Sequence, residues 1–142
     1  MRLYLDTSVL VKLYVHEEGS AFAREAVGRA QLVATSGIAY VEARAAFARR
    51  RYEGGIRPSE HRKIVRDLDA EWERYLVVEV TDALIREAAG LAETLRLRAY
   101  DAIHLASARA VQVQLAEAVV FASWDTALEK AARREGLAAL QR

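Results

Sequence analysis

Four acidic residues, Asp6, Glu42, Asp101 and Asp125, stand where a carboxylate can do chemistry. Asp6 ends the apolar run Leu3-Tyr4-Leu5 and precedes Val9, Leu10, Leu13 and Tyr14 at helical spacing. It sits where a buried strand turns into a helix, the edge at which open α/β sheets bind ligands. Asp125 repeats that order after Val119-Val120-Phe121-Ala122. Glu42 lies well inside a helix, too far along to cap it, among Ala39, Tyr40, Val41, Ala43 and Phe47. A carboxylate on so apolar a helix needs a partner if it is buried. Asp101 opens a further apolar helix in Tyr100-Asp101-Ala102-Ile103-His104-Leu105-Ala106.

Each acid also has a plainer explanation. Asp6 and Asp101 can be helix caps. Glu42 can be an exposed acid paired with Arg49 or Arg50, although Ala46 and no cation stands at i+4. Thr126 and Glu129 have the spacing of a capping box, which leaves Asp125 spare. Four carboxylates gathered at one place repel, a pair ~4 Å apart by about 4 kcal/mol at an effective dielectric of 20. Bound cations or protonation must relieve this. Oxygen donors without cysteine or paired histidines favour Mg²⁺ or Mn²⁺ over Zn²⁺. Such ions serve phosphate chemistry by activating water and stabilising the departing oxygen.

Strands that position these acids are read at residues 3–5, 32–34, 76–80 and 119–122, with an edge strand at 138–140. Helices are read at 7–16, 20–30, 37–52, 58–74, after Thr81, at 100–115 and at 126–134, with Ser20, Thr35 and Ser36 as caps. The alternation predicts an α/β fold with a mainly parallel sheet of about five strands, covered on both faces. The 142 residues show no repeat or linker and are read as one domain, 1–142. A hydrophobic fraction of 53% excludes a disordered chain, and the absence of cysteine excludes thiolate chemistry. No apolar run approaches the roughly 18 residues of a membrane span, and no signal-peptide pattern is present, so a cytoplasmic location is expected. The net charge is +1, so setting four acids aside leaves +5 on the rest, a surface suited to a polyanion.

These motifs together resemble the PIN-domain ribonucleases, and among them the VapC-type toxins of toxin–antitoxin pairs. The resemblance rests on Leu5-Asp6-Thr7-Ser8, Tyr40-Val41-Glu42-Ala43, Tyr100 to Ala106 and Ser123-Trp124-Asp125, in this order and spacing. It implies a three-layer α/β/α sandwich and an endoribonuclease dependent on Mg²⁺ or Mn²⁺, leaving a 3′-hydroxyl and a 5′-phosphate. Asp6, Glu42, Asp101 and Asp125 match the acidic metal-binding positions. Ser8 and Ser123 match supporting hydroxyls. His104 is expected to pack or to bond within its helix. The resemblance further implies an RNA substrate, a homodimer, and a small VapB-like antitoxin that silences the enzyme.

Lys12, Arg44 and Arg49 are candidate RNA contacts, against a solvated helix face as the alternative. Tyr40, Trp72 and Tyr75 are read as core rather than stacking platforms. A dehalogenase-type phosphatase needs a second acid where Ser8 stands, and a receiver domain needs adjacent acids where Thr7 stands. Two rivals stay open: a PIN-like module that binds without cleaving, and a housekeeping PIN nuclease with no antitoxin.

Overall fold

The computed structural model describes residues 1–142. Its centre is a five-stranded, all-parallel sheet in the order β3-β2-β1-β4-β5. The strands are β1 (Arg2–Leu5), β2 (Leu32–Ser36), β3 (Leu76–Val78), β4 (Val119–Ala122) and β5 (Ala138–Ala139). The helices are α1 (Thr7–Lys12), α2 (Ser20–Arg29), α3 (Ile38–Tyr52), α4 (Pro58–Trp72), α5 (Asp82–Leu95), α6 (Ala99–Leu115) and α7 (Thr126–Arg134).

Strand β1 explains the layers. Leu3, Tyr4 and Leu5 are all fully buried, and successive side chains must point to opposite faces. Leu3 and Leu5 pack with residues of α1 to α4, including Leu10, Ala43, Phe47 and Leu68. Tyr4 packs on the other face with α5, α6 and α7, through Leu91, Leu105 and Leu128. Its ring stacks on Phe121 of β4 at 5.5 Å. Both faces are therefore covered, and the result is an α/β/α sandwich.

The strand order places β1 between β2 and β4, so the chain leaves β1 toward one side and returns on the other. Such a reversal opens a crevice at the carboxyl ends of the two central strands. The Asp6 amide donates to the Ala122 carbonyl at 3.0 Å, closing the ladder at the mouth of that crevice. Asp6 and Asp125 follow the two strands that frame it.

Several boundaries differ from expectation. Helix α1 stops at Lys12, and an irregular turn carries the chain to Gly19, which takes the cap position of α2. Ser20 does not cap α2. Its buried hydroxyl donates to the Val15 carbonyl and accepts from the Glu17 amide, bracing that turn. Strand β2 runs on through Ser36, and Thr35 does not cap α3 either. Thr35 donates to the Leu5 carbonyl at 2.8 Å, a cross-strand bond in the centre of the sheet. Strand β3 ends at Val78 rather than residue 80.

Candidate active site

Asp6 is held in place by its own helix. Its Oδ1 accepts from the Ser8 hydroxyl at 2.6 Å and from the Val9 amide at 3.1 Å, so it caps α1. It is 4% exposed. Burial pushes its carboxyl above the ordinary range, and nearby His104, Ser123, Ser8 and the Val9 amide only partly pull it back. Capping and chemistry are not alternatives here, because a cap needs one oxygen of the carboxylate.

Ser8 does a second task. Its oxygen accepts from the Trp124 amide at 3.0 Å, tying the turn after β1 to the turn after β4. In that second turn the Asp125 amide donates to the Ser123 hydroxyl at 3.0 Å. Trp124, bulky for this position, is seated against Phe22 and beneath Lys12 and Arg142, whose charged groups stand 4.6 and 4.4 Å from its ring centre. Gly19 makes the seat possible. It has a φ of +88°, and a Cβ there would lie 2.7 Å from the indole. The irregular turn after α1 thus clamps the segment that carries Asp125.

Asp125 does cap α7, contrary to the capping-box reading. Its Oδ1 accepts from the Ala127 and Leu128 amides at 2.9 and 3.3 Å. Glu129, the other half of the expected box, instead binds Arg142. Asp101 is no cap: Arg98 holds that position, and Asp101 lies in the first turn of α6.

Glu42 pairs with neither Arg49 nor Arg50. Its Oε1 accepts from the Thr7 hydroxyl at 2.6 Å and meets His104 Nε2 at 2.9 Å. His104 is 2% exposed, and its Nδ1 lies 2.8 Å from the Tyr4 hydroxyl. A carboxylate only accepts, so in the neutral ring Nε2 carries the proton and Nδ1 accepts from Tyr4. The chain of donors runs Tyr4 to His104 to Glu42, and it leaves His104 no nitrogen for a metal. Half-burial pushes the Glu42 carboxyl up, yet the bonds from His104 and Thr7 outweigh this and hold it below its ordinary value. His104 therefore bonds across elements rather than within its helix.

Arg98, absent from the sequence reading, joins the remaining two acids. Its Nε lies 3.1 Å from Asp101 Oδ2 and its Nη2 3.5 Å from Asp125 Oδ2. The Asp101 pair was legible as an i, i+3 spacing; the reach to Asp125 depends on the sheet order. All four acids thus come to one edge of the sheet. They form no closed cage, since no three His, Asp or Glu side chains stand close enough to enclose an ion.

The donor set suits a hard cation. Every available ligand atom is oxygen, the chain has no cysteine, and the nitrogens of His104 are spent. The guanidinium between Asp101 and Asp125 shows that this pair takes a positive partner. Size alone does not mark the site. A cavity of about 650 Å³ lies near the opposite edge of the sheet around Leu32, Tyr75 and Leu76, away from all four acids.

Of the basic candidates, Lys12 is buried and bound to Glu17 at 3.1 Å. Arg44 donates to the Tyr40 hydroxyl at 2.9 Å, on the side of α3 that faces α4. Arg49 is exposed on the rim of a cleft that begins at Thr7 and Ser8. Tyr40, Trp72 and Tyr75 pack edge to face on one another, as expected of core aromatics.

The PIN-domain family description matches residues 3–134. The chain belongs to the PIN-domain family. Over 134 residues it is 35% identical to Ribonuclease VapC45 of Mycobacterium tuberculosis, covering 94% of this chain and 91% of that protein. Its fold is similar to that of FitAcB from Neisseria gonorrhoeae, with a TM-score of 0.67, 18% identity and coverage of 98% of this chain and 96% of that one. A toxin–antitoxin complex from Klebsiella pneumoniae matches with a TM-score of 0.64 and 17% identity, over 89% of this chain and 88% of that one. At these identities the structural matches speak for the fold. No helix is long and apolar enough to cross a membrane.

Proposed function

We propose that this PIN-domain ribonuclease is a metal-dependent endoribonuclease of the VapC type, acting as the toxin of a toxin–antitoxin pair. The observation that carries the reading is the convergence of Asp6, Glu42, Asp101 and Asp125, from four separate segments, on the carboxyl edge of β1 and β4. Asp6, Glu42 and Asp101 would hold Mg²⁺ or Mn²⁺, with Asp125 completing the site. The chemistry the ion supplies is activation of water and neutralisation of charge on the phosphate.

The chain's own residues prepare that site. Ser8 and the Val9 amide fix Asp6 in one rotamer. Thr7 and His104 keep Glu42 ionised and aimed at the crevice mouth. Arg98 balances the charges of Asp101 and Asp125, two of the residues that would hold the ion. Preorganised carboxylates of this kind cost little further ordering when the ligand arrives. The products would carry a 3′-hydroxyl and a 5′-phosphate. The named relatives support an antitoxin partner, and a small VapB-like protein and a homodimer are part of this reading. Its place of action would be the cytoplasm, where RNA is available.

Induced expression in a bacterial host tests the toxin reading. Wild type is expected to arrest growth, Asp101→Asn is not, and co-expression of a cognate VapB-like antitoxin is expected to restore growth. Equal arrest by Asp101→Asn contradicts an activity that depends on the acids.

A further inference from the structure

A cleft of about 340 Å³ begins at Thr7 and Ser8 and runs outward between α1 and the C-terminal half of α3. Its inner end is the two residues whose hydroxyls hold Glu42 and Asp6. Its outer end is basic. Lys12 and Arg50 share one carboxylate, that of Glu17, with the ammonium on Oε1 and the guanidinium on Oε2. Two cations on one anion leave a positive charge in the wall. Arg49 stands beside them, exposed and outside every ion pair of the chain. Glu53 lines the same rim, so the lining holds three cations against two acids.

We infer that this cleft is a subsite for one nucleotide of single-stranded RNA flanking the scissile phosphodiester, with Arg49 holding that nucleotide's phosphate. The inference rests on the ribonuclease reading and extends it to the substrate. Three features carry it. The polarity runs from the two hydroxyls that hold Glu42 and Asp6 at the inner end to a net positive wall at the outer end, as a phosphodiester chain leaving a metal site requires. Arg49 follows Glu42 by seven residues on the same helix, two turns and about 10 Å along one face. One nucleotide and an arginine side chain span that distance together. The walls offer Val11 and Ala46 as small apolar surfaces for a sugar or base, and the volume admits one nucleotide but no base pair. Lys12 and Arg50 are committed to Glu17, which leaves Arg49 as the cation free to bind. The Trp124 face is not offered for stacking, because Lys12 and Arg142 cover it.

Binding without cleavage isolates this subsite. Asp101→Asn protein in EDTA is titrated against a fluorescein-labelled single-stranded RNA, read by anisotropy, with Arg49→Ala added in one arm and Arg51→Ala in another. Arg51 is an exposed arginine of the same helix outside the cleft. Arg49→Ala is expected to weaken binding about five- to tenfold and to lower the slope of log K against log salt by about 0.7, the share of one phosphate contact on a single strand. Arg51→Ala is expected to change binding less than twofold. Equal effects of the two variants overturn the subsite and leave the ribonuclease reading intact. If octaglutamate peptide depends on Arg49 while RNA does not, the cleft belongs to a protein partner and the inference falls. Wild type that neither binds nor cleaves any RNA overturns the ribonuclease reading itself, and the inference with it.

Discussion

Asp6→Asn is expected to melt at a higher temperature than wild type at neutral pH and to lose RNA cleavage by roughly a thousandfold or more, about 4 kcal/mol of transition-state stabilisation. Both halves follow from one carboxylate. Asparagine keeps the oxygen that caps α1 and accepts from Ser8, so local geometry survives. What it removes is a charge that burial disfavours. The pH dependence fixes the sign. Burial raises the folded carboxyl's pKa above the unfolded one, so between the two values the folded state binds more protons. The wild type therefore loses stability as pH rises from the ordinary carboxylate range through the folded pKa. Asp6→Asn lacks that loss. The gap in melting temperature between the two should be near zero in acid, open on the way to neutral pH, and narrow when Mn²⁺ is added. Thermal melts of both proteins across pH, with and without Mn²⁺, check this. A gap that does not change with pH contradicts the account of Asp6.

His104→Phe is expected to lower kcat for RNA cleavage about ten- to hundredfold, the usual cost of removing a group that orients a metal-binding side chain. KM should move less than about twofold, because His104 is buried beneath Glu42 and out of reach of RNA. Phenylalanine fills the ring's place but offers Glu42 no N–H and Tyr4 no acceptor. Orphaning those buried groups should also cost about 1–3 kcal/mol of stability. His104→Gln restores a donor of similar reach and should recover much of kcat. Steady-state kinetics of the three proteins, beside their melting temperatures, separate the two effects. Equal loss of kcat in the glutamine and phenylalanine variants, both folded, would show that the bond to Glu42 is not what matters.

The sheet was legible because β1 carries its evidence locally. Leu3-Tyr4-Leu5 has no polar alternation, and both faces of the strand are in fact covered. The positions of Asp6 and Asp125 after their strands were legible for the same reason. What local pattern could not supply were partners distant in the chain. Thr7 meets Glu42 35 residues on, and His104 meets it 62 residues on. The cap assignments failed where a hydroxyl had a better use. Ser20 serves a carbonyl of the turn just before its helix, Thr35 serves one across the sheet, and Glu129 is drawn to Arg142 rather than to its own helix start. Helix α1 ends early because the turn after it must seat Trp124, and nothing near Lys12 in sequence announces an indole from beyond residue 120.

The central claim is that these four acids hold a metal ion that cuts RNA. Its most direct test is cleavage of a single-stranded RNA by the purified protein in Mg²⁺, Mn²⁺ or EDTA, beside Asp101→Asn. The account predicts endonucleolytic products with either metal, none in EDTA, and none from Asp101→Asn under any condition. Cleavage that persists in EDTA, or that Asp101→Asn retains in full, would contradict it.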